Sequence, residues 1–218
     1  MTDDDLQLDV AAELSWDPKA DSQAIAVSAD AGAVTLRGTV GSFREKREAG
    51  RAAARVSGVT EVSNELHVQL LDSNRRDDAD LRGDVLGALM LDSLIPMTVD
   101  ARVRDGFVTL TGTAQWHCQR EAAEFRTANV PGVAGIDNAI SLTQTPDARE
   151  ARDAIRAAFR RDAALEADGL SVETSSDGLV ILSGTVSCWA AHDHAVACAW
   201  SAPGVTQVDD RIHVESTP

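Results

Sequence analysis

The chain has 218 residues, 44% hydrophobic and 25% charged, which suits a packed core and excludes a wholly disordered protein. Aromatics are only 4%, with no tyrosine, so the core has to come from Val, Leu, Ile and Ala. Asp and Glu number 35 against 20 Lys and Arg, and the resulting net charge of −15 excludes a general binder of nucleic-acid phosphates.

The start, Met-Thr-Asp-Asp-Asp, has neither the basic head nor the apolar run of a secretory signal. The longest uncharged stretch, Gly178 to Ala191, is too short to cross a bilayer, so no transmembrane segment is expected. Three cysteines (Cys118, Cys188, Cys198) suit reduced thiols better than a disulfide framework. These features point to an acidic cytoplasmic protein.

The first predicted helix carries Leu6, Val10 and Leu14, whose spacing of four puts them on one face. A short strand follows, then a tight turn at Ala31-Gly32. The next strand alternates with Val34 and Leu36 on one face. An alanine-rich helix with Ala49, Ala53 and Val56 ends at Gly58, the place for a left-handed C-terminal residue. A last strand carries Val62, Leu66 and Val68, with a first step longer than strict alternation. The series then repeats. Its second pass uses Leu81, Val85 and Leu89, the turn Asp105-Gly106, then Val108/Leu110, Ala123/Val130, Gly132 and Ile136/Ile140/Leu142. The third uses Ile155 and Phe159, the turn Asp177-Gly178, then Val180/Leu182, Ala195/Ala199, Gly204 and Val208/Ile212/Val214. Asp-Gly between alternating segments signals a hairpin, because its turn needs positive φ.

The repetition is in register. Gly32-Ala-Val-Thr-Leu-Arg-Gly-Thr-Val40 matches Gly106-Phe-Val-Thr-Leu-Thr-Gly-Thr-Ala114 and Gly178-Leu-Val-Ile-Leu-Ser-Gly-Thr-Val186. The tails Gly58-Val-Thr-Glu-Val-Ser-Asn-Glu-Leu, Gly132-Val-Ala-Gly-Ile-Asp-Asn-Ala-Ile and Gly204-Val-Thr-Gln-Val-Asp-Asp-Arg-Ile match likewise. Nine glycines read as structural: Gly32, Gly38, Gly58, Gly106, Gly112, Gly132, Gly178, Gly184 and Gly204. The fold class is α+β, three tandem α-β-β-α-β units, each a three-stranded sheet covered on one face by two helices. The expected boundaries are 1–72, 76–143 and 147–216. Short linkers, Leu71 to Asp78 and Thr143 to Asp147, predict that the units touch. Copy three has an extra residue before its turn, so its hairpin should be longer or bulged.

The α-β-β-α-β order, the Gly-x-Val-x-Leu-x-Gly-x-Val core and the Gly-Val-x-x-Val-x-Asn-x-Leu tail resemble the BON domain, named for bacterial osmotically inducible and nodulation proteins. The resemblance covers nearly the whole chain. It implies a stress-related binding module rather than an enzyme, of a kind associated with phospholipids, envelope maintenance or ion sensing.

Candidate sites are few. Cys188, His192, His194 and Cys198 form the one metal-like cluster, but its two i,i+4 pairs lie on different faces of a helix, so no metal is expected. No catalytic constellation recurs among the copies, and no cofactor is expected. Asp3-Asp4-Asp5 and Asp77-Asp78 read as helix caps. Arg44, Arg47, Arg51 and Arg55 share one face of the second helix and are the candidate anionic-surface contact. A second arginine stripe (Arg149, Arg152, Arg156, Arg160) lies on the first helix of copy three. Trp16, Trp116, Trp189 and Trp200, near the copy boundaries, are expected to pack between copies. The function expected is non-catalytic binding of a protein partner or a phospholipid surface. The alternatives are a peripheral membrane adaptor using the arginine stripe, or an ion or small-ligand sensor between copies. Weak or absent binding to anionic vesicles at physiological salt is expected, because the sequence offers no apolar wedge or acyl chain to anchor an acidic chain.

Overall fold

A computed structural model describes residues 2–19, 22–71, 75–143, 148–162 and 169–215. Most of the second linker, 144–147, and residues 72–74 of the first lie outside the described residues. Copy one runs α1 (Asp3–Trp16), β1 (Ile25–Asp30), β2 (Ala33–Val40), α2 (Phe43–Ala54) and β3 (Glu61–Val68). Copy two runs α3 (Asp78–Met90), β4 (Asp100–Arg104), β5 (Phe107–Thr111), β6 (Thr113–Ala114), α4 (His117–Ala128), β7 (Gly135–Asn138) and β8 (Ser141–Leu142). Copy three runs α5 (Ala148–Arg161), β9 (Leu170–Thr174), β10 (Leu179–Val186), α6 (Trp189–Trp200) and β11 (Gln207–Val214).

All three copies are built alike. The hairpin pairs antiparallel and the last strand joins parallel to the central one, with orders β1-β2-β3, β4-β5-β7 and β9-β10-β11. The parallel register repeats: Ala33 pairs with Glu61, Phe107 with Gly135 and Leu179 with Gln207. Copy two differs in one respect. Its sheet is interrupted after Thr111 and Asn138, and the far ends pair separately as β6-β8.

The predicted helix faces form the cores. Leu6, Val10, Leu14, Leu81, Val85, Leu89, Ile155 and Phe159 are all buried, over Val34, Leu36, Val108, Leu110, Val180 and Leu182. Each such side chain contributes roughly 1.5–3 kcal/mol by leaving water. Ala49, Ala53, Ala123, Ala195 and Ala199 are buried on the second helices, where a small side chain lets the helix lie close to the sheet.

Turn and cap chemistry fix the ends. Ala31 and Asp105 take φ of 49° and 52°, and Gly32 and Gly106 take 87° and 78°, as a two-residue hairpin turn requires. The Asp3 carboxylate accepts from Ala31 N, and that of Asp78 accepts from Asp105 N and Gly106 N. Thus the acidic helix starts also tie down the hairpins. Thr2, Ser42 and Asp77 cap their helices. In copy three, residues 175–178 separate β9 from β10, a longer connection than in the other copies. All nine structural glycines have positive φ. The middle column is the most constrained. A Cβ on Gly38 would sit 2.0 Å from Ala24 O, on Gly112 2.2 Å from Thr98 O and on Gly184 2.1 Å from Gly169 O.

The long first step in the last strand has a polar cause. Asn64 and Asn138 occupy the skipped inward positions. Asn64 Nδ2 donates to Lys46 O of α2 at 2.6 Å, and Asn138 Nδ2 donates to Arg120 O of α4 at 3.0 Å. Each side-chain oxygen accepts from the backbone two residues on, at Leu66 N and Ile140 N. A carboxamide, with both donor and acceptor, joins helix to strand.

By Cα packing the chain divides into two compact units: Met1–Ala114 with Gln119–Ser141, and Gln115–Cys118 with Leu142–Pro218. Copy one and most of copy two thus form one body.

Candidate functional site

The arginine stripe of α2 is largely engaged within the protein. Arg55 reaches Glu13 Oε1 and Asp17 Oδ2, both at 2.9 Å. That guanidinium, together with the Lys19 backbone N–H, holds the Asp17 carboxyl below its ordinary value. Arg51 lies 3.6 Å from Glu48. Arg47 is mostly buried, 3.4 Å from Glu48, with its guanidinium over the Phe125 ring of α4. Arg44 remains exposed and has no carboxylate partner among the described residues. The four arginines therefore do not present one charged face.

Arg44 instead borders an open groove of about 770 Å³ on the first compact unit. Gly87 and Leu91 line it from the end of α3, and Phe125, Arg126 and Pro131 from α4 and beyond. Gly83 and Gly87 face open space, where an added Cβ would meet nothing within 4 Å.

The end of α3 and the segment leaving it expose several large apolar side chains. Met97 is 97% exposed, Leu91 89% and Met90 80%, with Leu94 also exposed. Its backbone is nonetheless held. Ile95 and Val99 are buried beneath it, Asp92 Oδ1 accepts from Leu94 N at 3.0 Å, and Arg126 Nε donates to Asp92 Oδ2 at 2.7 Å. These two bonds, in that order, hold the Asp92 carboxyl below its ordinary value. The one charge of the segment is thereby neutralised. Four large apolar side chains thus stand in solvent around a connection whose single carboxylate is paired.

An exposed apolar cluster was not expected from the sequence. Periodicity misses it because its side chains face outward from an irregular connection. With Leu14 opposite Leu89 and Asp17 opposite Asp92, Leu91 stands where copy one has the likewise exposed Trp16, while Leu94 and Met97 have no apolar counterpart in Asp17-Pro-Lys-Ala-Asp-Ser22.

The remaining candidates lie elsewhere. Cys118 and Cys188 are exposed, and burial raises the thiol pKa of Cys198 above its ordinary value. His192 and His194 turn to different neighbours, His192 Nε2 to Asp210 Oδ2 at 2.7 Å and His194 Nδ1 to Asp162 Oδ2 at 3.1 Å. Among the described residues no group of three or more His, Cys, Asp and Glu is placed to hold a metal ion. Trp16 is 85% exposed rather than packed, whereas Trp200 packs on the core of copy three and Trp189 meets His192 edge-on. Among the described residues no helix is long and apolar enough to cross a membrane.

The BON domain family matches three times, over residues 2–69, 77–144 and 147–216. Osmotically-inducible protein Y of Escherichia coli K12 is 34% identical over 121 residues, a match covering 52% of this chain and 59% of that protein. Two solved structures of CdsD, a structural protein of the type III secretion system of Chlamydia trachomatis, align over 98% and 99% of this chain and 93% and 100% of theirs. Their identities are 15% and 14% and their TM-scores 0.28 and 0.27, too low to carry an argument.

Proposed function

Because the chain belongs to the BON domain family, with three copies in tandem, we propose that it is a non-catalytic binding protein that docks on a phospholipid surface through its second copy. One observation carries this reading: Met90, Leu91, Leu94 and Met97 project within eight residues, beside the unpaired Arg44. Exposed apolar side chains suit an acyl boundary, and a neighbouring guanidinium suits a head-group phosphate. Full burial of one such side chain is worth roughly 1.5–3 kcal/mol, and a basic residue near an anionic leaflet adds about 1 kcal/mol. The net charge of −15 opposes approach to an anionic surface. Binding is therefore moderate, reversible and driven mainly by apolar contact. The similarity to osmotically inducible protein Y supports a role in the response to osmotic stress.

Co-sedimentation with phosphatidylcholine vesicles, with and without phosphatidylglycerol, tests the reading. The protein should pellet with both and should stay bound as salt rises. A Leu91→Asn/Met97→Asn variant should remain in the supernatant. Equal pelleting of the variant, or no pelleting of the parent, would sink the proposal. Binding that vanishes with salt would show that charge, not apolar contact, drives the docking, and would contradict the proposal.

A further inference from the structure

Copy three departs from its siblings at the join between second helix and last strand. In copies one and two the strand position holds Asn64 and Asn138, and each carboxamide donates to a helix carbonyl, at Lys46 and Arg120. The same two columns in copy three hold Asp210 and His192. Asp210 keeps the local bond, since its Oδ1 accepts from Ile212 N at 3.0 Å. As a carboxylate it has no donor for the helix carbonyl. Its Oδ2 lies 2.7 Å from His192 Nε2, while His192 Nδ1 lies 3.3 Å from Asp193 Oδ1.

Both ring nitrogens thus face carboxylate oxygens. Neutral imidazole carries one N–H and satisfies one of them, leaving a lone pair against the other. Imidazolium carries two and satisfies both. The side chain of His192 is only 13% exposed, with the Trp189 ring edge-on beside it; of its two partners Asp210 is the more sheltered, at 34% against 75% for Asp193.

We propose that the third copy carries a proton-operated clamp, in which the imidazolium of His192 on α6 bridges Asp193 and Asp210 and ties the helix to β11, where the first two copies use a proton-independent carboxamide. The surroundings support the assignment. α6 packs on β10, β11 and α5. β10 has no charged residue. On β11, Asp209 is engaged by Arg211 at 2.6 Å, leaving Asp210 to the histidine. From the α5 side come Arg161 and Asp162, and Asp162 meets His194 rather than His192. No cation but the imidazole neutralises Asp210 among the described residues. The Asp193 and Asp210 carboxylates raise the His192 pKa above its ordinary 6.5, against the opposing effect of partial burial. The clamp is therefore fully closed below 6.5 and opens as the pH rises through that raised value.

Hydrogen exchange of the full chain, followed by mass spectrometry at pH 5.5 and 8.5 and corrected for intrinsic rates, tests this. Protection of α6 and β11, relative to α2 and β3, should fall by roughly threefold or more between the two pH values. Asp210→Asn restores the carboxamide of the other copies and should abolish that fall while keeping the copy folded. His192→Lys, the residue of copy one, keeps a charge at both pH values and should also abolish it. A wild-type fall no larger than that of α2 and β3, or an undiminished fall in Asp210→Asn, would overturn the clamp.

Discussion

The guanidinium carbon of Arg47 lies 5.0 Å from the centroid of the Phe125 ring, joining the second helix of copy one to that of copy two. Arg47 Nε is buried there with no hydrogen-bond partner, so the aromatic face is its main compensation. A double-mutant cycle with Arg47→Met and Phe125→Leu, read by urea unfolding, should give a coupling of about 0.5–1 kcal/mol. Additive effects would show that the two side chains are merely adjacent.

Two kinds of glycine should respond oppositely to alanine. Gly38→Ala, Gly112→Ala and Gly184→Ala each drive a Cβ into a carbonyl oxygen at positive φ. Each should cost roughly 3 kcal/mol or more. Gly83→Ala and Gly87→Ala add a Cβ to open space on a helix and should stabilise by up to about 1 kcal/mol. Thermal unfolding of the five variants checks both signs.

The helix-to-strand carboxamides predict a specific loss. Asn64→Ala leaves Lys46 O and Leu66 N without their side-chain partner and should cost about 1–3 kcal/mol. Asn64→Asp, which keeps the acceptor and loses the donor, should fall short of wild type at neutral pH. Denaturant midpoints of the two variants against wild type measure this.

Acid should loosen copy one at a known contact. The Asp17 carboxyl is held below its ordinary 3.8 chiefly by Arg55. A depressed carboxylate contributes stability above its ordinary value and loses it as the pH falls through the folded one. The stability gap between wild type and Asp17→Asn should therefore be present at pH 7 and narrow below about pH 3.8. A gap unchanged by pH would show that Asp17 acts without its charge.

The repeat made most of the fold legible. Glycine columns at fixed intervals mark turns and stops that only positive φ satisfies, and Leu6/Val10/Leu14 with Val34/Leu36 mark the faces that meet. Asn64 was legible as a motif residue but not as an inward-facing one, because its role depends on a helix carbonyl that sequence spacing does not locate. The candidate contact surface was less legible. Arg44, Arg47, Arg51 and Arg55 share a helical face, yet Phe125, Glu48, Glu13 and Asp17, distant or interleaved in sequence, engage three of them. Met90 to Met97 follows no period, since a connection held by Asp92 and Arg126 exposes side chains without regard to strand or helix geometry.

The membrane reading rests on which residues enter the apolar boundary. In a chain whose three cysteines are replaced by serine, an environment-sensitive fluorophore is attached through Met97→Cys and, separately, through Leu8→Cys, exposed on α1. Titration with phosphatidylcholine vesicles should shift the emission of the first to the blue and leave the second unchanged. No shift at position 97, or equal shifts at both, would contradict docking through the second copy.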